Sequence, residues 1–81
     1  NQVVPAGELE SATAAVAERL ASLPGKAISL TKRLLNESFE RTLSEQLEAE
    51  AYAQETAGHT TDHFEGVTAF LQKRTPTFTG Q

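Results

Sequence analysis

Apolar side chains recur at helical spacing along most of this chain, and this pattern limits its possible folds more than any other feature. In the first segment the recurring positions are Leu9, Thr13, Val16, Leu20 and Leu23. They are separated alternately by four and three residues, as on one face of a helix. Glu8 and Glu10 lie in the first turn, where carboxylates complement the helix dipole. Pro24 and Gly25 then end the segment, because proline cannot continue a helix and glycine permits the chain to turn.

Three further helical segments follow, separated by turn signals. They are predicted at residues 26–37, at about residues 42–57, and from Thr60 or Thr61 to Arg74. The second segment has one apolar stripe and a second beside it, so we expect it to contact neighbours on two sides. The two stripes consist of Ala27, Leu30, Leu34 and Ser38, and of Ile28, Thr31 and Leu35. The predicted fold class is all-α, with about four helices.

Local signals mark the ends of the last two segments. Thr42 and Glu45 have the spacing of a capping box, and Gly58 suits the position just after a helix. Phe39 is expected to anchor the chain before the third segment. A thin seam of residues at helical spacing follows, and it comprises Leu43, Leu47, Ala51 and Gln54. Ala49, Ala51 and Ala53 are small enough for close contact with another helix. In the fourth segment Phe64, Val67 and Leu71 are predicted to be buried. Lys73 and Arg74 are placed in its last turn, where cations suit the dipole.

The size and composition of the chain indicate that it needs additional packing. A domain of 81 residues buries only about 60% of the surface that its unfolded chain exposes. The absence of cysteine excludes disulfides and cysteine-based zinc sites, which leaves self-association or packing against another part of a larger chain. No initiator methionine or signal peptide begins the sequence, so we expect it to start after processing or inside a longer polypeptide. A cysteine-free sequence also fits a reducing compartment, and we expect a cytoplasmic protein.

The charge and hydropathy patterns argue against two classes of partner. Seven Lys and Arg residues against eleven Asp and Glu residues leave a net charge of -4, whereas a nucleic-acid binder needs a basic face. No run of about 18 apolar residues exists that could cross a membrane. We therefore expect neither a nucleic-acid partner nor a membrane span.

The polar residues form no recognisable catalytic constellation. His59 and His63 are four residues apart but lack the additional ligands of a zinc site, so no metal is expected. The acidic residues of the third segment face outward, as on a solvated surface. Glu65 lies at the edge of the predicted buried stripe, where a structural hydrogen bond near the helix start is favoured over catalysis. From the residues alone, the chain is a helical interaction module.

The final stretch of the sequence resembles the C-terminal signature of the enoyl-CoA hydratase/isomerase (crotonase) family. Written loosely, that signature is D-x-x-E-G-x-x-A-F-x-x-K-R-x-P-x-F-x-G. Its matching positions here are Asp62, Glu65, Gly66, Ala69, Phe70, Lys73, Arg74, Pro76, Phe78 and Gly80. Residues 3–5 resemble the strand end that precedes the C-terminal helices of the family, and residues 24–32 resemble its next helix. The resemblance thus covers essentially the whole chain.

This resemblance implies a function that the residues alone do not. It implies that residues 1–7 end a preceding crotonase core, and that residues 8–81 form a C-terminal segment for oligomerisation and coenzyme A contact. The catalytic groups of the family lie in that preceding core, so this segment is expected to carry none. The resemblance further implies an acyl-CoA substrate, no prosthetic group, and a trimer or hexamer. Phe70 and Lys73 correspond to residues that contact the adenine and the phosphorylated ribose of a neighbouring subunit's coenzyme A, with Arg74 as a helper.

Two alternatives remain open at this point. The chain can be a stand-alone helical adaptor that assembles with itself or with a partner. Separately, Phe70 can be a core residue, and Lys73 and Arg74 can serve only as partners of the helix dipole.

Overall fold

The computed structural model describes residues 2–81 of the chain as a series of helices. A 3-10 turn at Ala6–Glu8 leads into α1 (Leu9–Ala21), which is followed by α2 (Gly25–Glu37), a 3-10 turn at Ser38–Glu40, α3 (Leu43–Gly58) and α4 (Thr61–Gln72). No strand occurs within residues 2–81. The predicted all-α class and its four helices are confirmed. The predicted division at residue 7 stays a prediction, and Asn1 lies outside the described residues.

The starts of α3 and α4 are set by threonine caps, as their sequences predict. The Glu45 amide donates to Oγ1 of Thr42 at 3.3 Å, and the Thr42 amide donates to Oε2 of Glu45 at 2.8 Å. This is the predicted capping box. At α4 the cap is Thr60, whose hydroxyl oxygen accepts from the His63 amide at 3.1 Å.

The ends of α3 and α4 differ from their predicted positions by one and two residues. Gly58 is the last residue of α3, and His59 follows it at a negative φ of -90°, so no left-handed glycine is needed there. The fourth helix ends at Gln72 instead of Arg74, because Lys73 adopts a left-handed conformation with φ 54°. Lys73 and Arg74 therefore lie beyond the last helical turn.

The small core lies where α2 crosses α3 and where α4 meets the end of the chain. Within residues 2–81, Ala53 of α3 and Ala69 of α4 are the only buried apolar residues. Ala27, Leu30 and Leu34 of α2 are half-buried, as predicted for that stripe.

The predicted seam of α3 is wrong. Leu43 and Leu47 are exposed, while Gln46, Ala49 and Ala53 face the neighbouring helices. The small alanine side chains allow close approach of the helix backbones, whereas the larger leucines lie on the outer face. Ala51, which was also expected in the seam, is exposed.

Several large apolar side chains predicted as anchors or core are exposed. Phe39 is 96% exposed, and the predicted buried stripe of Phe64, Val67 and Leu71 is exposed as well. Helical spacing identifies one apolar face but not its partner, and no helix of residues 2–81 packs over this face. The predictions of a buried stripe at Phe64, Val67 and Leu71 and of an anchor at Phe39 are therefore wrong for the chain by itself.

The helices form a flat and open arrangement. The radius of gyration is 16.1 Å, whereas a compact chain of this length has one of about 12 Å. The principal extents are 46 × 39 × 18 Å. The accessible surface is 6755 Å², about 2,000 Å² more than a compact protein of this mass exposes. None of the helices in the described part of the chain is long and apolar enough to span a membrane.

Candidate functional site

Residues 75–81, here called the tail, fold back along α4 and are held by Asp62. The Asp62 carboxylate accepts the Thr79 amide at 2.7 Å and the Gly80 amide at 2.8 Å. The Thr79 hydroxyl donates to it as well, at 3.4 Å. Asp62 is only 3% exposed and lies in the first turn of α4, where the helix dipole also favours its charge. A buried carboxylate thus has hydrogen-bond donors on its oxygens, as its burial requires.

The last residue of the tail completes this contact. The Gln81 carbonyl oxygen accepts the Asp62 amide at 2.9 Å and the Thr61 hydroxyl at 2.5 Å. It therefore satisfies a backbone donor in the first turn of α4, which has no partner within the helix. The start of α4 and the end of the tail stabilise each other.

Glu65, one turn further along α4, holds the beginning of the tail. Its two carboxylate oxygens accept from Nη1 and Nη2 of Arg74, at 2.6 and 2.8 Å, in a bidentate ion pair. Oε1 of Glu65 also accepts the Thr77 amide at 2.8 Å. The hydrogen bonds from Arg74 and then Thr77 lower the pKa of the Glu65 carboxyl from 4.5 to about 2. Glu65 makes structural hydrogen bonds, as predicted, but its partners lie after the helix end and not near the helix start.

Lys73, the residue directly before Arg74, adopts an unusual backbone conformation. Its φ of 54° and ψ of 39° lie in the left-handed region, which costs a residue with a side chain about 1–2 kcal/mol. Its amide donates to the Phe70 carbonyl at 3.2 Å, and the Arg74 amide donates to the Ala69 carbonyl at 3.0 Å. This is the Schellman pattern of helix ends, in which glycine usually occupies the left-handed position. Lysine here is therefore a conformationally costly choice.

Phe70 lies in the last turn of α4, and Lys73 directly follows the helix. Phe70 is 82% exposed, and Lys73 is also exposed. The guanidinium group of Arg74, by contrast, is engaged with Glu65 and with Oε1 of Gln72, the latter at 2.8 Å. The three predicted site residues are thus neighbours in space, with two exposed side chains and one that is already paired.

A predominantly apolar groove of about 530 Å³ adjoins Phe70. It runs between the start of α2, the end of α3, α4 and the tail. Phe78 of the tail lines it beside Gly66, where a Cβ atom would lie 3.6 Å from the Phe78 ring. Further lining residues are Pro24, Ala27, Ala57, Val67 and Leu71.

The two histidines show no metal-site geometry. Nδ1 of His59 lies 2.8 Å from the Glu55 carbonyl oxygen, while the His63 ring packs edge-on against Phe64 at 6.1 Å. No group of three or more His, Cys, Asp or Glu side chains within residues 2–81 is arranged to hold a metal ion.

Sequence reasoning missed the role of Asp62. Asp62 was noted as a position of the family motif, yet it is the buried centre of the tail contact. The available signal was its place in the motif that ends at Gly80, since both ends of that motif meet in space.

Comparison with known proteins gives matches along the whole chain. The family model described as enoyl-CoA hydratase/isomerase matches residues 1–81. A 1,2-epoxyphenylacetyl-CoA isomerase of Escherichia coli (strain K12) is 40% identical over 80 residues, which are 99% of this chain and 30% of that protein. A probable enoyl-CoA hydratase of Mycobacterium bovis is 37% identical, over 98% of this chain and 31% of that protein. The chain thus spans about a third of the length of these relatives.

Solved structures show the same arrangement of helices. A crystal structure of an enoyl-CoA hydratase from Geobacillus kaustophilus superposes with a TM-score of 0.92 and 30% identity, covering 98% of this chain and 30% of that one. An enoyl-CoA hydratase from Bacillus anthracis gives a TM-score of 0.87 and 37% identity, with 98% and 31% coverage. The fold is a helical segment of crotonase-fold proteins. The chain therefore belongs to the enoyl-CoA hydratase/isomerase family.

Proposed function

We propose that this chain is the C-terminal helical part of an acyl-CoA-binding enzyme, either an enoyl-CoA hydratase or an isomerase. The enzyme would act in fatty-acid or related acyl-CoA metabolism, without a prosthetic group. The observation that carries the proposal is the family match over all 81 residues, together with relatives named as hydratases and isomerases. The full-length protein that contains the chain is called the parent below.

The parent, rather than this segment, is proposed to carry out the chemistry. No paired carboxylate or nucleophile constellation distinguishes residues 2–81, where Asp62 and Glu65 are both engaged by the tail. Assaying the 81-residue chain and the parent for hydration of crotonyl-CoA tests this division. We expect turnover by the parent only, and turnover by the isolated chain would contradict the proposal.

Within the parent, the segment is proposed to provide subunit contacts in a trimer or hexamer. The support is its excess surface of about 2,000 Å² over a compact protein, which is comparable with a stable protein interface. The exposed apolar side chains include Leu9, Leu20, Leu35, Leu43, Leu47 and Tyr52. Sedimentation of the 81-residue chain at micromolar concentration should show self-association. A clean monomer would argue against this role.

The segment is also proposed to form one side of a coenzyme A site, in which Phe70 packs on the adenine and Lys73 pairs with the ribose phosphate. An aromatic ring offers a face for stacking, and an ammonium group pairs with a phosphate as a point charge. Both residues are exposed, and Lys73 directly follows the helix that carries Phe70. For Arg74 we propose only a supporting contact with the ligand, because its ion pair with Glu65 already uses much of its hydrogen-bond donor capacity.

Lys73→Ala in the parent tests the coenzyme A contact. We expect it to weaken binding of coenzyme A by roughly 2- to 5-fold, as for a partly exposed charge pair, and binding of 3′-dephospho-coenzyme A much less. Lys32→Ala on α2 is a matched control, because it also removes one exposed lysine. Equal losses for both ligands in Lys73→Ala would remove the assigned role.

Localisation and independence of the segment complete the proposal. We propose a cytoplasmic parent, although two relatives, from Dictyostelium discoideum and Arabidopsis thaliana, are named as mitochondrial. If the coding frame proves to begin immediately before Asn1, the stand-alone adaptor is favoured. A continuous upstream frame of about 180 residues, near the usual length of one domain, favours the enzyme.

A further inference from the structure

The left-handed turn at Lys73 needs support from outside the turn. Only glycine adopts this conformation without cost, and the two local hydrogen bonds to Phe70 and Ala69 are those that any helix end of this type makes. The tail contact at Asp62 begins at Thr79, so it leaves the residues just after Lys73 unconstrained. A separate support is therefore required between the turn and that contact.

Glu65 supplies this support from the preceding turns of α4. Its carboxylate accepts hydrogen bonds from both terminal nitrogens of Arg74, the residue directly after Lys73. It also accepts a hydrogen bond from the amide of Thr77, four residues after Lys73. These partners are nine and twelve residues away from Glu65 in sequence, so the contacts brace the turn across the end of the helix. The Glu65 side chain is only 25% exposed, which limits competition from water.

We propose that Glu65 is a positioning residue: by holding Arg74 and the Thr77 amide, it fixes the turn that presents the Lys73 ammonium group to a phosphate ester of the bound nucleotide. This inference rests on the proposed coenzyme A contact of Lys73. Glu65 itself does not touch the ligand. Without it, the turn samples other conformations, and the affinity falls in proportion to the fraction of molecules that keep the competent one.

Glu65→Gln separates this role from a simple effect of charge, because the two predict opposite signs. The substitution removes a negative charge near the proposed phosphate position and releases the Arg74 guanidinium group. Through electrostatics alone, both effects would tighten binding of a phosphorylated ligand. Loss of positioning instead weakens it.

The experiment measures affinities of the parent for coenzyme A and for 3′-dephospho-coenzyme A by calorimetry. The variants are Glu65→Gln, Lys73→Ala, the double variant and a control, Glu48→Gln. The control removes the same charge from an exposed site on α3. We expect Glu65→Gln to weaken coenzyme A binding by roughly 2- to 5-fold, to leave 3′-dephospho-coenzyme A within about 2-fold, and to add nothing to Lys73→Ala.

The outcomes separate this inference from the proposed function. If Lys73→Ala discriminates the two ligands but Glu65→Gln tightens binding or changes nothing, the positioning role is overturned and the coenzyme A contact stands. If Lys73→Ala fails to discriminate them, the contact fails, and the positioning role fails with it. Equal weakening of both ligands by Glu65→Gln indicates general disruption of the fold and also overturns the positioning role.

Discussion

Asp62→Asn provides the most direct test of the contact between the tail and α4. The substitution preserves the shape of the side chain and one acceptor oxygen. It replaces the other oxygen with an amide nitrogen, which faces either the Thr79 or the Gly80 amide and cannot accept its hydrogen bond. The variant therefore loses one charge-assisted hydrogen bond and the favourable interaction of its charge with the start of α4.

The size of the effect follows from the surroundings of these groups. A hydrogen bond to a charged group contributes about 1.5–3 kcal/mol, but Thr79 and Gly80 are exposed, so water can replace a lost partner. We therefore expect the local free energy of opening to fall by about 1–2 kcal/mol, which is roughly a 5- to 30-fold change in the opening equilibrium. The amides of the tail should exchange with solvent faster by that factor.

Hydrogen exchange measured by NMR on the protein resolves this effect. The Thr79 and Gly80 amides should exchange faster in Asp62→Asn, while the Gln46 amide at the start of α3 should keep its rate. Glu48→Gln controls for the loss of one negative charge. Unchanged exchange at both tail amides in Asp62→Asn would refute the reasoning, because the carboxylate would then not hold the tail.

Three further predictions concern the helix ends. Lys73→Gly should be more stable than Lys73→Ala by about 1 kcal/mol in chemical denaturation, because both lack the ammonium group but only glycine adopts φ 54° freely. Thr42→Ala should destabilise the protein by about 1 kcal/mol, whereas Thr13→Ala in the exposed middle of α1 should not. Because the hydrogen bonds from Arg74 and then Thr77 lower the folded pKa of Glu65 to about 2, the stability that they contribute is complete above pH 4.5. It should be lost as pH falls from 4.5 toward 2, as followed by exchange of the Thr77 amide.

The sequence predicts helices well here because each one carries its own start and stop signals. The capping box at Thr42 and Glu45, the threonine cap at Thr60 and the break before Gly25 all act between residues close in sequence. Such local interactions need no knowledge of the tertiary structure. The predicted end of α4 was wrong because lysine gives no signal of a left-handed turn.

Burial was predicted less well, because helical spacing cannot name the partner of an apolar face. Both Leu30 of α2 and Phe64 of α4 lie on stripes of helical spacing, yet Leu30 is half-buried and Phe64 is exposed. The difference is that α3 packs over the stripe of α2, and no described helix packs over that of α4. Only the three-dimensional arrangement distinguishes the two cases.

The same difference between local interactions and the three-dimensional arrangement applies to the candidate site. Phe70 and Lys73 are close in sequence, and the left-handed turn at the helix end keeps them adjacent, with the Lys73 amide donating to the Phe70 carbonyl oxygen. That Arg74 is paired depends on Glu65, nine residues away, and on the turn between them. The pairing could not be derived from periodicity, since the left-handed turn interrupts the helix before Arg74.

The spacing of the motif has a geometric explanation in the antiparallel course of the tail. Asp62 and Glu65 lie one helical turn apart, a rise of about 4.5 Å, and they bind the amides of Thr79 and Thr77. Two residues of extended chain cover about 6.6 Å, and the flexible carboxylate side chains can absorb the difference. The Phe78 ring lies against Gly66, while the amides of the residues on either side of Phe78 bind the acids. The D-x-x-E-G pattern on α4 and the alternate positions of the tail are therefore two halves of one contact.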